Sequence, residues 1–178
     1  MLILRPTRKL TQLAPEPLSP GEVSDTALGD WYANRLVVDR KPLVLLVSST
    51  SLLAILAPSK PLRDLPWRMP DLVAARLRRL GIAPILIQAE VDAMHPVRIA
   101  KPEDRSILGF LVEFGKSVPY YIDIGTAHHV ESLAFAEDQL ARSPWHAGKS
   151  SRTVWPIDRA RELLADRWGR AIPSRPAP

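Results

Sequence analysis

The sequence predicts an α+β fold: a small antiparallel sheet built on an N-terminal hairpin and covered by helices from the middle and C-terminal half. Three observations carry this. Two apolar runs, residues 31–38 and 43–47, flank a charged turn, Asp39-Arg40-Lys41-Pro42. From Met69 onward the apolar residues recur mostly at helical spacing. Strands and helices do not alternate strictly, which argues against a sheet built from βαβ units.

Taken in order, residues 1–12 predict a short strand running into a turn. Pro15, Pro17, Pro20 and Gly21 break regular structure, so 14–27 is a loop. WYANRLVV over 31–38 is rich in aromatic and β-branched residues and reads as a strand. LVLLV over 43–47 is continuously apolar and reads as a strand buried on both faces. Ser48-Ser49-Thr50 ends it, and 52–56 is either a third strand or a short helix. Pro58, Pro61 and Pro66 make 57–67 a connector. Met69-Pro70-Asp71 then opens a helix, because Pro suits the first helical position and an early Asp suits the positive helix end. Met69, Leu72, Val73, Leu77 and Leu80 form its apolar side, and Gly81 ends it. Pro84 begins a second helix, to about Met94, and 96–100 is an edge strand. Pro102-Glu103-Asp104 starts a helix to about Gly115 with a broad apolar face: Ile107, Leu108, Leu111, Val112 and Phe114. Residues 119–124 read as a strand or extended segment, 128–142 as an amphipathic helix with Leu133, Ala136 and Leu140, and 143–154 as a loop. Pro156 opens the last helix, with Ile157, Ala160, Leu164 and Trp168 on one face. The expected organisation is a single domain over 1–170 and a Pro-rich disordered tail over 171–178.

Composition removes many functions. The chain has 178 residues, no Cys and 8 Gly. Lack of Cys excludes a disulfide framework, thiolate metal sites and a cysteine nucleophile. Scarce Gly leaves no phosphate-binding loop of the Walker or dinucleotide type. No apolar run approaches the roughly 20 residues that span a bilayer. The start lacks a basic region before an apolar stretch, so a secretory signal is not expected and the location expected is cytoplasmic, without membrane contact. Lys and Arg number 24 against 19 Asp and Glu, a formal charge of +5. The excess concentrates in residues 1–20, 60–81 and the C-terminal stretch. Arg63, Arg68, Arg76, Arg78 and Arg79 mark a basic docking surface, which raises encounter rates with acidic partners.

No metal site or cofactor is expected. His95, His128, His129 and His146 lack ligand spacing, since adjacent histidines on a helix diverge by about 100°. No Ser sits in a nucleophile elbow. Two polar groups inside apolar segments stand out instead. The first is Asp30, Trp31, Tyr32, Asn34 and Arg35; the second is Lys101, Arg105, Ser106 and Glu113 with Gly109. Arg105, Gly109 and Glu113 fall at i, i+4 and i+8. Two readings follow: a polar pocket with Arg105 binding an anion, or a buried network joining Asp30 or Asp39 to Arg105.

These groups also carry a resemblance. Thr7-Arg8-Lys9-Leu10, the Leu-Gly-Asp-Trp-Tyr-Ala-Asn block at 28–34, Arg40-Lys41 before the apolar strand, Leu52-Leu53, Ala100-Lys101 and Arg105-Ser106-Ile107-Leu108-Gly109 resemble the pattern of an uncharacterised bacterial family, a domain of unknown function. The similarity spans roughly residues 1–165. The chain departs from it at Ser48-Ser49, where Asn-Glu is usual, and at 110–114, where Ser-Met-Asn-Asp-Phe is usual. The resemblance implies no activity.

The leading expectation is therefore a non-enzymatic bacterial binding protein. Its narrower form is the toxin of a toxin–antitoxin pair that docks onto a protein of the replication or translation machinery, such as the sliding clamp, with an antitoxin as its other partner. Gln12-Leu13 and Gln139-Leu140 begin clamp-type peptides that Pro15 and Pro144 interrupt. The alternatives are a nucleic-acid binder using the Arg clusters, although no base-stacking aromatics interleave them, and a hydrolase- or transferase-type enzyme with its pocket around Arg105.

Overall fold

The computed structural model describes residues 1–10, 12, 13, 15, 22–146 and 153–169. A five-stranded sheet holds β1 (Leu2–Pro6), β2 (Trp31–Val38), β3 (Lys41–Ser48), β4 (Ala54–Pro58) and β5 (Val97–Ile99), in the order β4-β3-β2-β1-β5. The hairpin forms as the sequence predicts, with Asn34 opposite Leu45 and Leu36 opposite Leu43. Its turn is tighter than expected. Lys41 and Pro42 already belong to β3, leaving Asp39 and Arg40 at φ 47° and 60°. Two consecutive positive φ values match the right-handed twist of the flanking strands. Residues 52–56 resolve as the approach to β4 and most of that strand.

The sheet is not purely antiparallel, which corrects the expectation. β1 runs parallel to both neighbours, with Leu4 opposite Trp31 and Ile3 opposite Arg98. Parallel pairing needs a long crossover, usually helical. Here the link from β1 to β2 contains, among the described residues, only a 3-10 turn at Arg8–Leu10, so no βαβ signature exists to read.

Residue alternation sends β2 and β3 side chains to opposite faces. Leu2, Leu4, Trp31, Ala33, Val44 and Leu46 pack on one face. They meet α1 (Leu65–Arg79), α2 (Pro84–Ala93) and α5 (Pro156–Trp168) through Met69, Val73, Leu77, Ile87, Ala160 and Leu164. On the other face Tyr32, Leu43, Leu45, Val47 and Leu56 meet α3 (Arg105–Ser117) and α4 (Val130–Arg142) through Ile107, Phe110, Leu111, Phe114, Leu133 and Leu140. Helices thus cover both faces.

Three local expectations change. Helix α1 starts at Leu65, because Pro66 occupies its first turn, where a missing N–H costs nothing; Pro70 lies inside the helix. Residues 118–121 form a 3-10 turn instead of a strand, with Val118 buried and no strand paired to them among the described residues. The described ends of the 143–154 loop pair as β6 (Trp145–His146) and β7 (Thr153–Val154). The tail at 171–178 lies outside the described residues. Among the described residues, no helix is long and apolar enough to cross a membrane.

Candidate functional site

The two polar groups singled out in the sequence do meet, but the side chain that joins them is Arg5. At the C-terminal end of β1, Arg5 Nε lies 2.5 Å from Asp30 Oδ2. Its Nη1 donates to the Lys101 carbonyl at 2.5 Å and sits 3.2 Å from Glu103. Asp30 also accepts from Ser24 Oγ at 2.6 Å. Tyr32 places its hydroxyl to accept the Asp104 N–H at 3.1 Å, while the Asp104 carboxylate caps α3 through Ser106 N and Ile107 N. Asn34 Oδ1 accepts from Thr7 Oγ1 at 2.8 Å. Gly29 admits the tight approach into this motif. Its φ is 66°, and a Cβ there would stand 2.6 Å from Ser49 Oγ.

Burial alone would lower the Arg5 pKa, but Asp30, with Tyr32 and Glu103, raises it overall. Burial raises the Tyr32 hydroxyl above its ordinary value, against Asp104 N–H and Arg5, which lower it. The junction therefore holds a permanent guanidinium and a neutral phenol. It ties β1, β2 and the start of α3 together. Arg5→Met leaves the Asp30 carboxylate without its cation but with Ser24. We expect a loss of about 2 kcal/mol, as for a hydrogen bond to a charged group, read as a lower urea midpoint at unchanged m-value.

Neither reading of Arg105 is found among the described residues. Arg105 is exposed and makes no ion pair or hydrogen bond among the described residues. Asp39 instead accepts from the Gly125 N–H at 2.8 Å. Glu113 is exposed and pairs with Lys116 at 3.0 Å; the side chains of Lys101 and Ser106 are exposed as well. The cause lies in α3 itself. Its Ile107, Phe110, Leu111 and Phe114 face the sheet, which turns 105, 109 and 113 outward. Trp31 is a core residue of the opposite face. The signal for Arg5 was present, as the one charge inside the buried β1 pattern Leu-Ile-Leu-Arg-Pro.

The basic stretch divides. Arg76 is fully buried and cannot belong to a docking surface. It donates to Asp138 Oδ1 at 2.5 Å and to the Glu137 carbonyl at 2.9 Å, and its Nε lies 3.6 Å from Glu137 Oε2 without a hydrogen bond. Arg79 bonds the buried Glu137 carboxylate. Arg68 donates to the Pro58 carbonyl at 3.2 Å, and Arg78 is exposed.

Arg63 goes elsewhere. With Lys9, Arg35 and Lys60 it rings a cleft of 510 Å3. Alternation along β2 carries Arg35 to the face shared with Trp31 and Ala33, beyond the end of that core. Lys9 stands on the Arg8–Leu10 turn, pinned by buried Leu10. The far wall is the 3-10 turn Leu62–Asp64 that leads into α1. None of the four cations forms an ion pair or hydrogen bond among the described residues. Asp64 is the only carboxylate among the described lining residues, and Leu10, Pro61 and Leu62 supply apolar surface. Sequence reasoning singled out Arg35 and Arg63 separately. It missed that Lys9 and Lys60 converge on them, because only the fold brings 9, 35 and 60–63 together.

Chemically, the cleft suits carboxylates or phosphates. The two carboxyls raised by burial, Glu90 and Glu137, are committed to internal bonds away from it. No group of three or more His, Asp or Glu residues is placed to hold a metal among the described residues.

A comparison with curated proteins finds no match. A family model does match, over residues 3–159, a span that contains the Arg5 junction, the cleft and the five strands of the main sheet but for Leu2 at the start of β1. The chain accordingly belongs to the family described as "Domain of unknown function (DUF6933)".

Proposed function

We propose that the protein is a non-enzymatic binding protein that docks an acidic protein segment in the cleft between Lys9, Arg35, Lys60 and Arg63. The observation that carries this reading is that four cations without partners among the described residues converge there on apolar walls. Trp67, four residues beyond Arg63, is 82% exposed. Arg and Trp are the residues that most often anchor protein interfaces. The described cleft lining holds no aromatic ring on which bases could stack, which favours carboxylates over nucleic acid.

The test is fluorescence anisotropy with a labelled peptide of alternating Glu and Leu, beside a single-stranded RNA of equal length. The peptide is expected to bind, and the double variant Arg35→Glu/Arg63→Glu to weaken it by about tenfold with an unchanged Tm, since both side chains are exposed. RNA bound more tightly, with affinity falling steeply in salt, supports the nucleic-acid reading instead. Absence of binding to both sinks the proposal.

The narrower reading is a toxin that docks onto the replication or translation machinery. It predicts growth arrest on expression in a bacterial host, relieved by the same double variant; normal growth counts against it. A clamp contact would not use the Gln-Leu pairs, because Leu13 and Leu140 are buried in the two cores.

A further inference from the structure

We propose that the cleft takes the turn Asp123–Thr126 of a second copy of this chain, giving a two-fold dimer; this rests on the cleft docking an acidic protein segment. The turn is built to project. Thr126 N and Oγ1 both donate to the Asp123 carbonyl, at 3.0 and 2.8 Å. Gly125 has a φ of 86°, and its N–H donates to Asp39 Oδ2 at 2.8 Å, which pins the turn to the β2–β3 hairpin. Ile124 is left 94% exposed. Asp123 and Glu131 line one groove beside it, and neither carboxylate has a partner among the described residues. Exposed Tyr120, Val130 and Phe135 extend the apolar surface. Contiguous exposed apolar surface with a polar rim marks an interaction site.

Three features select a second copy as the occupant. The first is charge. The cleft sets four cations around the apolar Leu10, Pro61 and Leu62, and the turn offers an isoleucine beside two carboxylates. Each surface supplies what the other lacks, and matched charge fixes partner and register. The second is placement. Turn and cleft lie at the same end of the sheet: Asp39 follows the last residue of β2, Arg35 stands four residues before it, and Ser59 N donates to the Pro42 carbonyl just past the end of β4. They lie on opposite faces. Arg35 shares the face of Trp31 and Ala33, whereas Ile122 and Ala127, which bracket the turn, pack in the other core. A half-turn about an axis in the sheet plane, across the strands, brings two hairpin ends together and sets each turn against the other copy's cleft. The contact is then made twice, and two-fold pairing is the commonest form of self-association. The third is rigidity: a turn already pinned at Asp39 loses little freedom on docking.

The experiment is sedimentation velocity of the full chain at concentrations up to about 1 mM, where even a weak specific contact shows. A monomer–dimer equilibrium is expected. Ile124→Ala should weaken it about tenfold per contact, and so about a hundredfold over the two. Asp123→Arg and Arg63→Glu should each leave the chain largely monomeric at an unchanged Tm, since both side chains are exposed. Mixed in equal amounts, these two variants should dimerise again, because the reversed turn of one meets the reversed cleft of the other and the remaining contact is native. A chain that stays monomeric at about 1 mM, a dimer indifferent to Ile124→Ala, or a mixture no more dimeric than its two components overturns the proposal. The Glu and Leu peptide separates this result from the reading of the cleft itself. A monomeric chain that binds the peptide removes only the second copy as partner; a chain that neither dimerises nor binds the peptide removes both.

Discussion

Replacing Glu137 by Leu is expected to cost about 3–5 kcal/mol, among the largest losses any single substitution in this chain can cause. Glu137 sits on α4 and accepts the Leu56 N–H of β4 at 2.7 Å. The same carboxylate faces Arg76 and Arg79 of α1. One side chain therefore joins the edge strand to a helix on each side of the sheet. Leu at this position leaves the Leu56 N–H unpaired and strips Arg76 of a counter-charge at a fully buried site. Arg76 keeps Asp138 and a backbone carbonyl, which bounds the loss below that of a wholly orphaned cation.

Two companion variants separate charge from shape. Glu137→Gln retains an oxygen for Leu56 N and should lose less than Glu137→Leu. The double variant Arg76→Met/Glu137→Leu should be more stable than Glu137→Leu alone, because replacing both buried charges by apolar groups removes the desolvation cost along with the attraction. With the single Arg76→Met variant added, urea unfolding of the native chain, Arg76→Met, Glu137→Leu and the double variant forms a double-mutant cycle. Additive losses would show that the two side chains are not coupled, and the network would then not be the fastener described.

Arg76 also shows where sequence reading stops. Its charge near the negative end of α1 is the expected place for a solvated cation; its spacing, seven after Met69 and four before Leu80, already sets it on the apolar side of the helix, opposite Arg78, but the partners that let a charge be buried there are not local. The difference is made by α4, which arrives over sixty residues later and brings Glu137 and Asp138 onto it. The same holds at the cleft: Arg35 and Arg63 stood out singly, but their meeting with Lys9 and Lys60 depends on a parallel β1–β2 pairing that leaves no helical crossover in the sequence. What was legible was local. The apolar runs at 31–38 and 43–47 and the charged turn between them fix the hairpin. The Asp104 cap, Pro84 and Pro156 fix helix starts, each by backbone chemistry confined to one turn. Pro70 misled as a helix start because Pro66 already occupied the opening turn. Arg105 misled because its polar stripe was legible but its direction was set by the wider apolar face of α3.

Glu90 is the other residue whose loss should be severe, and its titration makes the prediction sharper. It is fully buried on α2 and accepts three N–H groups: Ala27 at 2.8 Å, Leu28 at 3.0 Å and Trp168 Nε1 at 2.7 Å. It thereby fixes both the loop before β2 and the end of α5. Glu90→Ala leaves two buried donors and the half-buried Trp168 N–H without their acceptor, each worth about 1–3 kcal/mol, so a loss of about 4 kcal/mol is expected. Amide exchange at Ala27 and Leu28 should accelerate in step. Trp168→Phe removes one donor only and should cost about 1 kcal/mol. The pH dependence follows from the sign of the shift. Burial raises the Glu90 carboxyl above the ordinary glutamate value, and the three donors and Arg167 offset only part of that. The native state then holds this proton more tightly than the unfolded chain. Its contribution is complete below the ordinary value and is lost as pH rises through the raised one. The native protein should thus lose stability as pH rises above the ordinary glutamate value, relative to Glu90→Gln, which has no proton to release. Parallel stability–pH curves for the two proteins above the ordinary glutamate value would show instead that the donors offset burial in full.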